Sequence, residues 1–497
     1  MFRALRDSLK HTSIYTLGNL ATRAVGFMMI PVYTHFLTPR EYGVLDLLDL
    51  TIILFGMIVG AGMGSAIFRF YYAAETDAER RDVVGSALLF STLVSGVLGI
   101  GVVLGAEQIA SLVFRAPGYS SFLKLALLSF WIGTAGETCR NYLRVRQRST
   151  VFVIASLIQL VVSLALNIYF IAFRRMGVYG FLLSSLITNV LASAALLIYT
   201  IGETGFSFSW IKTRAMLAFG APFVLSGMGH FILNFADRYF LNLYSGLSQV
   251  GIYALGYKFG FMLNMLAVAP FLQMWEAQMF VVEKEANAKA VYARIFEYFA
   301  AALLLVLLGI SIFIRDIIRI VASPEYGSAW KIVPLVSLAY VFNGWSQYFR
   351  LGMLLTRKTK PIGIIMAGSG ALTLVLYFFL IRSYHAIGAA TATLLAFAFM
   401  MVWTYAASQR LYPIPYDLKR IGVILGMAAL CFAAAWGIDQ VFEPTSLQAF
   451  VLRVLAFLCF PVALVRTGFF ASEGVHRLQD LPTGIRNIIR GGEPAES

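Results

Sequence analysis

The residues of this sequence with chemistry to offer are charged side chains set inside long apolar stretches. An ionisable group within a membrane span costs about 2.5–3.5 kcal/mol on insertion scales, so each one asks for a reason. Arg23 sits near the middle of the first apolar run with no basic residue close by. Its planar fork suits the oxygens of a phosphate or a sugar, and the alternative is a structural pair with an acid on a neighbouring helix. Asp46 and Asp49 are three apart and therefore share one face of the second helix. Lys258 falls at the matching depth of the eighth. A pair between Asp49 and Lys258 would close the outer end of a cavity; alternatively both acids reach back to the outer interface, or Lys258 contacts an anionic cargo.

Asp237 and Arg238 end the seventh helix. Adjacent residues point to different faces, so they need not pair with each other, and either gating or interfacial anchoring is open to them. Glu137 and Arg140, three apart in the fourth helix, are placed for a local ion pair. Arg350, in the corresponding part of the tenth, would join Arg140 as an electropositive inner mouth. His230, mid-way along the seventh helix, titrates in the physiological range and reads either as a proton-coupling group or as a hydrogen-bonded packing residue. Glu297 and Arg453 read as structurally partnered or as reaching for the interface.

No catalytic set stands beside these groups. There is no GxxxxGK phosphate loop and no HExxH, the five histidines are scattered, and Cys139, Cys431 and Cys459 show no CxxC spacing. A transporter is expected in place of an enzyme, with no cofactor and no metal.

The elements that position these charges follow from composition. Of 497 residues, 59% are hydrophobic and only 13% charged, so apolar side chains must face lipid. A span needs about 20 apolar residues. On that ruler about fourteen helices fall near 13–37, 43–68, 83–106, 121–143, 150–173, 178–201, 215–241, 249–275, 290–314, 330–354, 361–382, 386–408, 419–437 and 447–466. The first is too long for a cleaved signal segment. The longest outer loops, around 107–120 and 315–329, run to about 15 residues, and the tail from Thr467 carries spaced apolar residues that suit a short surface helix. The net charge of +14 is topological: about 26 of the 39 Lys and Arg fall at one set of helix ends. That asymmetry puts both termini in the cytoplasm and argues against nucleic acid as a partner.

An internal repeat recurs at an offset of about 208 residues. Glu41-Tyr42-Gly43-Val44-Leu45 is echoed by Gln249-Val250-Gly251-Ile252-Tyr253, and the loop with Pro117 and Tyr119 by Pro324 and Tyr326. Gly177-Val178-Tyr179-Gly180 is echoed by His385-Ala386-Ile387-Gly388, and Arg146-Gln147-Arg148 by Arg357-Lys358. Six helices per repeat keep both copies in one orientation. The expected fold is therefore all-α and polytopic. Two pseudo-symmetric six-helix lobes, 1–210 and 211–412, enclose a central cavity and rock to give alternating access. Two extra helices follow in 413–466, then a cytoplasmic tail, 467–497.

The stretch TRAVGFMMIPVYTHFLTPREYGVLDLLDL resembles the opening of Wzx-type polysaccharide flippases, as do GMGSAIFRFYY and, most specifically, Ala221–Phe259. Many members carry an Asp where this chain has Gly64. The resemblance implies the multidrug/oligosaccharidyl-lipid/polysaccharide exporter fold, two lobes in a V plus two helices, in a bacterial inner membrane. It also implies an undecaprenyl-pyrophosphate-linked oligosaccharide as cargo, flipped from the cytoplasmic to the periplasmic leaflet. A monomer is expected because each chain holds both lobes. Membrane lipids, and possible dealings with a polysaccharide polymerase and glycosyltransferases, complete the expected partners. On that reading Arg23, Lys258, Arg238, Arg140 and Arg350 contact the cargo, while Asp46, Asp49, Asp237, Glu137 and His230 gate or couple transport. A cation-coupled multidrug exporter and a peptidoglycan lipid-precursor flippase are the alternatives.

Overall fold

A computed structural model describes residues 26–60, 62–115, 117–467 and 469. Arg23, most of the first expected span and the expected tail helix lie outside the described residues. The first half of the chain forms α1 (Ile30–Phe36), α2 (Pro39–Gly60), α3 (Met63–Ala73), α4 (Asp77–Leu104), α5 (Ala106–Phe114), α6 (Ser120–Val145), α7 (Ser149–Asn167) and α8 (Gly177–Thr204). The second forms α9 (Trp210–Phe235), α10 (Asp237–Ser245), α11 (Leu247–Leu263), α12 (Ala269–Val282), α13 (Ala288–Val321), α14 (Val333–Phe349), α15 (Leu351–Leu355), α16 (Lys360–Leu376) and α17 (Arg382–Leu411). The hairpin of α18 (Leu418–Val441) and α19 (Leu447–Arg466) completes the described chain. Among the described residues the fold is helical throughout.

Side-chain caps set several starts. Thr76 accepts from the amide of Glu79 and Ser209 from that of Lys212, and Ser446 and Asp417 cap α19 and α18 in the same way, each satisfying a backbone donor the helix leaves free. Ten of the described segments are long and apolar enough to cross a membrane. The expected total of fourteen is not reached for identifiable reasons. α6 has the length, at 26 residues, but carries Lys124, Glu137, Arg140 and Arg144, and α14 is only 17 residues long. α16 and α17 form one 52-residue segment that reverses at His385, whose backbone is left-handed (φ 53°). The expected outer loops are corrected too. Residues 106–114 form a helix whose Ala110 and Phe114 are buried, α13 runs on to Val321, and Pro324–Lys331 coil as a 3-10 segment around buried Tyr326. Apolar residues in these connections bury themselves and carry helix with them.

The repeat read from sequence has a physical counterpart at each landmark. Gln147 and Arg357 are both left-handed, and so are Gly177 and His385. π-helical turns stand at Ile168–Phe173 and at Tyr377–Ile381, just before those second reversals. α2 breaks from α3 at Gly62 (φ 70°), and α11 from α12 through a π turn at Asn264–Val268, so both partners of this helix pair are interrupted part-way. Glycine is required at the first break, because a Cβ on Gly62 would lie 2.6 Å from the Cα and carbonyl oxygen of Gly220 in α9.

The two repeats meet most tightly where α2 crosses α11. A Cβ on Gly43 would stand 2.1 Å from the carbonyl oxygen of Leu247, and one on Gly251 would stand 1.9 Å from that of Pro39. Leu247 and Pro39 are themselves repeat equivalents, so the contact is reciprocal, backbone on backbone, as a two-fold axis demands.

The hairpin α18–α19 is tied to α13 at both ends. Arg453, only 1% exposed, lies 2.8 Å from Asp316 and 3.6 Å from Asp439, and donates to the carbonyls of Ala449 and Pro444. At the other end Glu297 accepts from Arg294 at 2.8 Å with Arg420 at 3.3 Å. Glu297 and Arg453 are thus structurally partnered.

A polar seam and a cavity as candidate functional site

Directly beneath the glycine crossing, toward the middle of the bundle, lies a polar seam. α10 starts a new helix at Asp237, which is fully buried, with Arg238 beside it. Adjacency does not keep the two apart. The Arg238 guanidinium folds back to donate to Asp237 Oδ1 at 2.7 Å and to the Asn234 carbonyl at 2.7 Å, and it lies 3.7 Å over the ring of Tyr257. The Tyr253 hydroxyl donates to the other Asp237 oxygen at 2.5 Å. Tyr257 and Tyr340 share a 2.6 Å hydrogen bond, and Tyr340 also donates to Asn234 Oδ1. A buried charge needs this degree of satisfaction to be tolerated.

The first repeat contributes Asp46, whose Oδ2 lies 3.6 Å from Arg238 Nε. At that distance the contact is an ion pair without a hydrogen bond, and neither atom has another hydrogen-bond partner among the described residues. The expected Asp49–Lys258 pair does not form. Lys258 Nζ donates to the Tyr42 hydroxyl at 2.7 Å, again across the repeats, and Asp49 has no ion-pair partner within 4 Å among the described residues. Arg238, turned inward at the start of α10, is the cation that reaches Asp46. Thr51 meets Tyr239 at 3.1 Å, the Tyr326 hydroxyl donates to the Leu37 carbonyl, and Asn242 donates to that of Val113. These bonds tie the first repeat to the second around the crossing.

Asp49 and Lys258 are exposed although they stand on helices central to the bundle, so both look into open space. Asp49 opens on a cavity of about 410 Å³ bounded by α2, α6 and α8. Its wall includes Glu137 and Arg140, which form the expected local pair at 2.9 Å, with Arg140 also donating to Gln159. Ser129, Asn189 and the ring of Phe130 line it as well. Arg350 is not beside Arg140; it sits half-buried among Met353, Ile365, Met366 and Thr404. His230 is exposed, with its ring nitrogen 3.3 Å from the Asn234 amide.

Sequence reasoning found the charges of the seam and missed the tyrosines, Asn234 and the glycine crossing. The signal for the crossing was present, since Gly43 and Gly251 are repeat equivalents. Tyr42, Tyr253 and Tyr257 lie one to five residues from the singled-out charges.

A model of a family described as polysaccharide biosynthesis protein matches residues 8–274, more than half of the chain. The chain belongs to this family. It is similar to the succinoglycan biosynthesis transport protein ExoT of Rhizobium meliloti, at 22% identity over 254 residues, which covers 51% of this chain and 50% of the relative. An uncharacterized membrane protein of Haemophilus influenzae is 23% identical over 267 residues, covering 52% of this chain and 62% of the relative. The matched region thus spans about half to three-fifths of these relatives. Among solved structures, the lipid II flippase MurJ in an inward closed conformation has a TM-score of 0.75 at 14% identity, covering 91% of this chain and 99% of that one. An inward-facing multidrug resistance MATE family transporter of the MOP superfamily has a TM-score of 0.57 at 17% identity, covering 80% and 94%. At such identities the likeness is one of fold. This family member is a multi-span membrane protein with the helical fold of the MurJ and MATE transporters.

Proposed function

We propose that this protein carries an undecaprenyl-pyrophosphate-linked oligosaccharide from the cytoplasmic to the periplasmic leaflet of the bacterial inner membrane by alternating access. The observation that carries the reading is a pair of charges, Asp49 and Lys258, held open to space between repeats that are tightly closed at one end. A polar headgroup crossing about 30 Å of hydrocarbon needs such an interior, while its polyprenyl tail stays in lipid. Residues 1–210 and 211–412 act as the two lobes, 413–466 as an accessory hairpin and 467–497 as a cytoplasmic tail, both termini being cytoplasmic and the working unit a monomer. The crossing end faces the periplasm. The Asp46–Arg238 and Tyr42–Lys258 contacts close it as a gate, with Asp237 holding Arg238 in place. The loose 3.6 Å Asp46–Arg238 pair suits a contact that must part in every cycle. Once the gate opens, Lys258 and Arg23 neutralise the pyrophosphate, with Arg140 and Arg350 nearer the cytoplasmic mouth. Glu137 holds Arg140, and His230 offers a titratable group on the same side. A polysaccharide polymerase and glycosyltransferases would receive and supply the cargo.

The fold likeness to MurJ and to a MATE transporter favours two second readings, a lipid II flippase and a multidrug exporter. A deletion strain separates all three. Loss of surface polysaccharide with lipid-linked oligosaccharide trapped in the cytoplasmic leaflet supports the proposal. Cell-wall lysis with normal export, or drug sensitivity alone, would replace it with one of the others.

A further inference from the structure

The two repeats place very different contents in the same part of the fold. The glycine crossing fixes the correspondence of α2 with α11, and the left-handed pair Gly177 and His385 fixes that of α8 with α17. On this register Asp49 corresponds to Tyr257, and Asn189 to Phe397. In the second repeat Tyr257 and Phe397 pack on either side of Tyr340, with ring centroids 5.9 Å and 5.8 Å apart, and all three are buried. Rings occupy that space. In the first repeat the corresponding positions border the 410 Å³ cavity, which is within the range of ordinary small-molecule sites, about 300–1,000 Å³. The fold does not force the hollow, since its own second copy fills it.

The wall is organised for a neutral polar guest. Asn189 Nδ2 donates to Ser129 Oγ at 3.0 Å and to its carbonyl at 3.3 Å, which orients the amide and leaves Oδ1 as an acceptor. Ser129 in turn bonds Ser185 at 3.1 Å. The Glu137 charge is balanced by Arg140, so the surplus charge on the wall is the Asp49 carboxylate. A pyrophosphate offers only acceptors and negative charge, and a uronate, although its hydroxyls can donate, brings a carboxylate that the Asp49 charge repels. A sugar hydroxyl both donates and accepts, and the C–H face of a pyranose packs on a ring such as Phe130. We infer that this first-repeat cavity is a subsite for an uncharged sugar of the glycan, and that it discriminates against acidic sugars through Asp49. The inference rests on the oligosaccharide-transport reading above and says where that cargo's sugar goes, apart from its pyrophosphate.

Full-length protein in lipid nanodiscs, probed by saturation-transfer NMR with methyl glucoside, methyl galactoside and glucuronate at millimolar concentration, tests it. The natural protein should give signal with a neutral glycoside and little with glucuronate. Asn189→Phe installs the ring the second repeat already uses, and should lower the neutral-sugar signal at least fivefold with an unchanged unfolding temperature. Should it fail to fold, Ser129→Ala serves, with a loss of about threefold or more expected. Asp49→Asn should admit glucuronate. Undiminished neutral-sugar signal in the folded cavity variant, or equal glucuronate signal in the natural protein, overturns the inference. Complementation of a deletion strain keeps the two failures distinct. Normal polysaccharide export without the protein removes the transport reading, whereas protein-dependent export carried fully by Asn189→Phe removes the sugar subsite alone.

Discussion

Gly43→Ala is the sharpest test of the closed end. The added methyl would stand 2.1 Å from the Leu247 carbonyl oxygen and 3.0 Å from the Gly251 amide nitrogen. Ordinary contact begins near 3.4 Å, so the two helices must separate by about 1 Å. The obstruction is backbone, which cannot rotate aside as a side chain can. Overpacking of this kind costs about 1–3 kcal/mol. The cost falls only on the state in which α2 and α11 touch, because alanine on a freed helix surface is preferred over glycine by about 0.5–1 kcal/mol. The ratio of open to closed forms should therefore rise about 5- to 150-fold. A cysteine at Thr51, which meets Tyr239 across the seam, reports this in a background with Cys139, Cys431 and Cys459 replaced. Labelling by a membrane-impermeant thiol reagent added outside intact cells should accelerate at least fivefold, and export should fall. Gly251→Ala should do the same, and the double variant should fall short of the product, since both methyls contest one contact. Unchanged labelling with unchanged export would refute the reasoning, because the crossing would then not be the seal.

Asp46→Asn keeps the shape of the seam and removes its cross-repeat charge. The same thiol labelling should rise by a factor of about 3–10, while Arg238 stays bound to Asp237 and thermal stability is nearly unchanged. Gly62→Ala places a methyl 2.6 Å from Gly220 on a left-handed residue, so export should fall at least tenfold with wild-type protein abundance, as measured by surface-polysaccharide staining against an immunoblot. Arg453→Ala strands Asp316 and weakens the hold on Asp439, at about 3 kcal/mol; the unfolding temperature in detergent should drop, whereas Arg453→Lys should recover part of the loss and lack the second carbonyl contact.

Much of this architecture was legible because its physics is local. Apolar run length marks a span whatever its neighbours do, and four landmark pairs at nearly one offset were enough to reveal the repeat before any contact was seen. Left-handed residues at Gln147 and Arg357 then mark the same turn twice. Partner choice was not legible. Asp49 and Lys258 match in depth, yet depth says nothing about azimuth, and Lys258 reaches Tyr42 instead. Adjacency left open whether Asp237 and Arg238 pair, and they do, because a long guanidinium can fold back along its own helix start. Helices at 106–114 and 324–331 escaped notice because they are short, and short helices owe their stability to tertiary burial.

The asymmetry between the repeats explains why the charges fall where they do. A duplicated six-helix unit begins with two equivalent interiors, and only one need accept a guest. In the second repeat, Tyr257, Tyr340 and Phe397 occupy that interior, while Tyr253 and Tyr257 hold Asp237 and Arg238 in fixed positions. The first repeat presents Asp46 to Arg238 from outside and keeps Asp49, one turn further along the same helix, for its hollow. One helix thus carries both the cross-repeat contact and a wall of the cavity. Movement of α2 away from α11 must break the Asp46–Arg238 pair and shift Asp49 together, so on the gating proposed above the opening of the seam and the occupancy of the cavity are linked through one helix. By linkage, a guest that favours one position of Asp49 favours the matching state of the seal.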